Sequence, residues 1–145
     1  MKSWVKYFIN ILLILIIMFF GEHVFEGITK NIQTTFKMNP FLINMVMIIF
    51  YGCIGLLLGL EHLINEINKE GTWIINSPKI VFMVLPSLYF SFAMFLYYSS
   101  IQFVRNILAY PVGILLESGT NFMHVFQLIF GYSIITSFYK RSEKM

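Results

Sequence analysis

Residues 41–60 read FLINMVMIIFYGCIGLLLGL, an unbroken run from Phe41 to Leu60 without one formal charge. As a helix, a run of this length rises roughly 30 Å, the thickness of a bilayer's hydrocarbon core. Asn39-Pro40 stands ahead of it and supplies an N-cap followed by a first-turn proline. In hydrocarbon every peptide group must find its partner within the chain, which makes a helix the economical solution for such a segment. Three further apolar runs extend the pattern. Tyr7 to Phe20 is uncharged and, with Trp4 and Val5, predicts a span over residues 4–20, Lys6 reaching the headgroups along its aliphatic stem. No small-residue cleavage site follows Phe20, so this first run reads as an uncleaved span.

Ile80 to Val104 is also uncharged, opens after Ser77-Pro78, and predicts a third span over residues 80–100 that ends near Tyr97-Tyr98-Ser99-Ser100. Pro86 in its first turns removes a backbone donor and predicts a kink. Phe122 to Tyr139 carries His124 and Gln127 but no formal charge before Lys140, giving a fourth span over residues 121–139. Between Arg105 and Glu117, Ile107 to Leu116 is too short to cross as a helix. It reads as a re-entrant or interfacial segment, or as an extension of a neighbouring helix over the bundle's end. The expected fold class is therefore all-α, a single integral membrane domain over residues 1–145 built as a polytopic bundle of about four spans.

Composition agrees: 58% of the 145 residues are hydrophobic and 12% charged, about half the charged fraction of a soluble domain. All seven acidic residues are glutamates, which argues against carboxylate-rich catalytic or metal clusters. The net charge of +3 is scattered over span ends rather than gathered into a basic patch with interleaved aromatics, so nucleic acid is not an expected partner. The lone Cys53, inside an apolar run, builds neither a disulfide framework nor a thiolate zinc site. With the N-terminus inside, Lys2, Lys6, Lys69, Lys79, Lys140, Arg141 and Lys144 fall on the cytoplasmic side, against Lys30, Lys37 and Arg105 outside. That asymmetry predicts both termini in the cytoplasm.

Gly52, Gly55 and Gly59 share one helical face, and Gly55 with Gly59 forms the small-xxx-small spacing that lets backbones approach closely. Packing within the chain and dimerisation both use such a face. Ser87, Ser91 and Gly131 are candidate opposing small surfaces. Glu61, His62 and Glu66 follow the second span, where His62 and Glu66 at i and i+4 share a face as metal ligands or an acid/base pair would. The bland alternative is a solvated polar face closed by Gly71, with Trp73 at the interface. His124 and Gln127 at i and i+3 suit an inter-helix hydrogen bond or the lining of a polar opening. The position of His124, close to the start of the fourth span, predicts headgroup depth for it. Asn10 and Asn44 read the same way. No nucleophile elbow, zinc-protease helix, phosphate loop or dinucleotide fingerprint occurs. No catalytic residue, metal or cofactor is therefore expected.

Gly59-Leu60-Glu61-His62, Lys69-Glu70-Gly71-Thr72-Trp73, Leu85-Pro86-Ser87-Leu88 and the ending from Gly131 to Lys140 resemble small multi-span membrane proteins of Gram-positive, spore-forming bacteria. The resemblance implies a bacterial plasma membrane and no particular activity. Three functions are then in play. The first is a non-enzymatic accessory, assembly or immunity-type subunit acting through its helices, with the bilayer, itself or another membrane protein as partner. The second is a small transporter or holin-like oligomeric pore using His124, Gln127, Asn44 and Ser91. The third is an interfacial enzyme at Glu61, His62 and Glu66.

Overall fold

The structure, a computed structural model, describes residues 3–117 and 121–141. Lys2, Lys144 and residues 118–120, which enter the charge balance and the segment before the last span, lie outside the described residues. Helix α1 runs Ser3–Thr35 and α2 runs Pro40–Ile67, and these two are long and apolar enough to cross a membrane. At 1.5 Å per residue they measure about 50 and 42 Å. The Asn39 side chain accepts the Leu42 backbone N–H at 3.2 Å, and Pro40 follows in the first turn.

A strand, β1 (Thr72–Ile75), comes next after Gly71, whose φ of 139° suits glycine alone. The third apolar run is not the single helix expected over residues 80–100. It consists of a turn α3 (Ser77–Lys79), a π-helical stretch (Ile80–Val84), α4 (Leu85–Ser91) and α5 (Ala93–Tyr97). Its N-cap is Asn76, which accepts the Lys79 N–H, rather than Ser77. The kink expected at Pro86 takes the form of the wide turn before it. The Leu85 N–H bonds to Ile80 five residues back, a bulge of the kind that accommodates disturbed helix hydrogen bonding. A second π-helical stretch (Val104–Leu108) precedes Pro111 and α6 (Tyr110–Glu117), which folds back on α5.

Helix α7 runs Asn121–Thr136 and stops short of the expected residue 139. Phe138–Arg141 forms β2 instead, antiparallel to β1 with Thr72 opposite Arg141 and Ile75 opposite Phe138. The purely helical expectation is corrected by this small sheet. Its aromatic and β-branched residues suit a ladder, and β1 offers unpaired backbone groups beside the end of α7.

Helix α2 is the hub. It runs antiparallel to α1, with Lys6 beside Glu61 and Phe25 against Phe50, and antiparallel to the α4–α5 segment, with Asn44 at Ser91 and Phe41 on Phe95. It runs parallel to α7: Tyr51 meets His124, Gly55 meets Leu128, and His62 meets Phe138. Among the described residues the largest fully buried side chains are Gln127, Val112 and Asn44, followed by Ser87, Ser91, Ser133 and Ser137. Ile, Leu, Phe and Met side chains point outward along α1 and α2 instead. That distribution inverts the order of a water-soluble domain.

Candidate functional site

Small residues bring α2 and α7 together. Gly131 lies on the Gly52 backbone, where a methyl group would overlap the Gly52 carbonyl. A methyl on Gly55 would overlap the Leu128 carbonyl, and one on Gly59 the Ile135 side chain. The glycine face is thus occupied by a helix of the same chain. Ser87 and Ser91 are buried in α4, each hydroxyl donating to the carbonyl four residues earlier. Thr136 at the end of α7 and Ser137 just after it do the same. These hydroxyls fill interior space while meeting their own donor requirement.

The amides differ. Asn44 is fully buried; its Nδ2 donates to the Ser91 carbonyl at 3.2 Å, while its Oδ1 meets no donor among the described residues. Gln127 is 0% exposed, and neither Oε1 nor Nε2 meets a partner among them. His124 stands one turn before Gln127 on α7, within electrostatic reach of its amide, and no hydrogen-bond partner of full geometry meets its Nδ1 among the described residues. Its ring stacks on Tyr51 with centroids 4.4 Å apart. Tyr51 is at the middle of residues 41–60, so His124 sits level with the centre of α2. Its place three residues from the start of α7 therefore does not put it at the end of α2, because α7 is displaced along α2 by an offset that only tertiary packing sets. Leaving one such polar atom unsatisfied costs about 1–3 kcal/mol, which makes this the most costly polar cluster of the interior.

The second polar cluster joins the paired ends of α2 and α7. Parallel helices ending side by side add their C-terminal partial negative charges, roughly half a unit each. Ammonium groups answer both. Lys140 Nζ donates to the Ile67 and Lys69 carbonyls at 2.8 and 2.7 Å and lies 5.2 Å from the Trp73 ring centroid. Lys79 Nζ donates to the Thr136 carbonyl at 3.2 Å and to its Oγ1 at 2.6 Å. The carboxylate of Glu66, only 4% exposed, accepts the Lys140 backbone N–H at 2.8 Å and pairs with Lys69. The Glu61, His62 and Glu66 set does not converge. Glu61 takes Lys6 at 3.4 Å and the Tyr7 hydroxyl at 3.1 Å, while His62 Nε2 lies 3.2 Å from the Phe138 carbonyl. Among the described residues no group of three or more metal-ligating side chains gathers. Apart from Lys69, which pairs locally with Glu66, each of these side chains joins two segments. Sequence reading missed Lys79, Lys140 and the sheet, whose only local signal is the run of β-formers on both sides.

The Lys69 ammonium, and after it the Lys140 N–H, hold Glu66 below its ordinary carboxylate value against the opposing effect of burial. A lowered acid stabilises the fold at neutral pH and loses that effect as pH falls through its native-state value. Trp73 fluorescence, read in a Trp4→Phe background, is therefore expected to stay constant through the usual glutamate range and to change only below it. The Glu66→Gln variant is expected to lack that acid step.

Compared with family models, curated proteins and solved structures, the chain matches none.

Proposed function

We propose that the chain is an integral membrane protein of four spans, in a bacterial plasma membrane with both termini cytoplasmic, acting without enzymatic chemistry as an accessory or assembly subunit. The observation that carries the membrane reading is the inverted interior, with amides and serines inside and large apolar side chains outside. Water would not tolerate that outer surface, and lipid would. The alternating directions of α1, α2, the segment at residues 77–97 and α7 support four crossings, since β1 and β2 can pair only if they share one side. The lysines gathered at that end, Lys69, Lys79 and Lys140, favour the cytoplasmic side for it.

The role as a helix-interaction subunit rests on α1. Within the most apolar part of α1 only 6% of residues are buried, against 17% in α2, and its packing within the chain is chiefly against α2. Beside it lies a groove of about 570 Å³ between Leu15, Met18, Phe50, Ile54 and Leu128. With the glycine face taken by α7, α1 offers the face a partner helix would use. Single cysteines at Ile9 or Phe19, in a Cys53→Ser background, are expected to crosslink to a neighbouring helix in native membranes. A cysteine at buried Val112 is the negative control. Equal, weak labelling at all exposed positions of α1 would leave lipid alone as its neighbour and remove the basis for this role.

A second reading, a small transporter or oligomeric pore, is favoured by one observation. Gln127 and His124 present unmet polar atoms at mid-height of α2.

A further inference from the structure

The groove beside α1 is apolar, with nothing to specify an occupant beyond lipid or a helix. The Glu66, Lys69 and Lys140 cluster is internally satisfied. The centre formed by Gln127 and His124 is neither. Its unmet atoms are one acceptor (Gln127 Oε1), one amide donor (Gln127 Nε2) and one imidazole nitrogen that takes either role (His124 Nδ1). A direct bond between His124 and Gln127 would use one atom of the Gln127 amide and leave the other.

Gln127 and His124 stand one turn apart on α7, with the His124 ring stacked on Tyr51 and Phe90 stacked on the neighbouring Phe126 at 4.5 Å between centroids. Asn44 lies two turns before Tyr51 on α2 and is held separately by the Ser91 carbonyl. Among the described residues no carboxylate or ammonium belongs to the unmet groups, so a bare ion would lack a counter-charge there. The ligand that fits such a set is small, uncharged, and both donor and acceptor.

We propose that Gln127 and His124 form a water-binding site inside the bundle, beside Tyr51 of α2, in which ordered water bonds the Gln127 carboxamide and His124 Nδ1. Internal waters typically make about three hydrogen bonds to otherwise unsatisfied buried groups, and this set supplies that number. The inference rests on burial and unmet polar atoms, so it stands whether or not the chain proves to be an accessory subunit.

The test is magnetic resonance on the purified full-length chain in detergent micelles, with ¹⁵N-labelled glutamine side chains. The chain has Gln33, Gln102 and Gln127, and the first two are exposed. Gln33→Ser and Gln102→Ser assign the signals without touching the interior. The Gln127 carboxamide protons are expected to cross-relax with water while staying shielded from a water-soluble paramagnetic agent. Cross-peaks to aliphatic and aromatic protons alone would overturn the proposal, and so would broadening by the agent as strong as that of Gln33. The Gln127→Leu variant gives a second readout. A hydrated amide predicts an unchanged or lower melting temperature, and a rise of several degrees would mean that the site is dry and the proposal wrong.

Discussion

Replacing Gly131 by leucine is expected to force α7 off α2 and abolish the folded state, and alanine at the same position is expected to cost on the order of 1–3 kcal/mol or more. A methyl group there would face the carbonyl carbon and Cα of Gly52 at 2.9 and 3.1 Å, beneath an even closer carbonyl oxygen. All three are backbone atoms, so no rotamer change relieves the overlap. Gly55→Ala meets the same obstacle at the Leu128 carbonyl and at the Tyr132 nitrogen, 2.8 Å away. Gly59→Ala is expected to be milder, since the side chains of Ile135 and Thr136 have some room to yield. Gly52→Ala should be neutral or slightly stabilising. Nothing lies within 4 Å of the position its methyl would take, and alanine favours a helix over glycine by about 1 kcal/mol. The two facing glycines, 52 and 131, thus respond in opposite ways. Detergent-unfolding titrations of the four alanine variants in mixed micelles measure the series, and equal effects at 52 and 131 would contradict this geometry.

The glycine spacing on α2 was legible from sequence, because residues three and four apart share a helical face. Which of those glycines needs to be glycine was not, since that depends on where each Cα–Cβ direction points in the packed pair. The start of α2 was equally plain, with Asn39 and Pro40 acting locally. The β1–β2 sheet was not, because its strands flank the whole of the third and fourth apolar segments and neither strand suffices to declare itself. The same holds for His124. Its distance from the start of α7 is a local quantity, whereas its depth beside Tyr51 follows from the offset of α7 along α2. Pro86 predicted a distortion but not its form, a wide turn over Ile80–Val84. Glu61, His62 and Glu66 are close in sequence, yet Lys6, Phe138 and Lys140 draw them to separate partners that sequence spacing could not reveal.

Ile49 carries the second large effect. It lies near the middle of residues 41–60, is 59% exposed, and sits on the outer face of α2. If that face meets hydrocarbon, lysine at Ile49 costs about 2.5–3.5 kcal/mol of insertion free energy. If it meets water, an exposed substitution of this kind changes stability by no more than about 0.5 kcal/mol and aids solubility. Ile67, 54% exposed at the C-terminal end of α2, provides the control. A lysine there reaches the headgroups along its own stem and should be tolerated. Leu12→Lys on α1, 42% exposed, should behave as Ile49→Lys does.

The deciding measurement is the fraction of each variant that stays with the membrane after alkaline extraction and folds in mild detergent. A lipid-facing exterior requires Ile49→Lys and Leu12→Lys to fall well below the parent while Ile67→Lys matches it. Full recovery of Ile49→Lys as a folded, detergent-free soluble protein would contradict a membrane-embedded bundle.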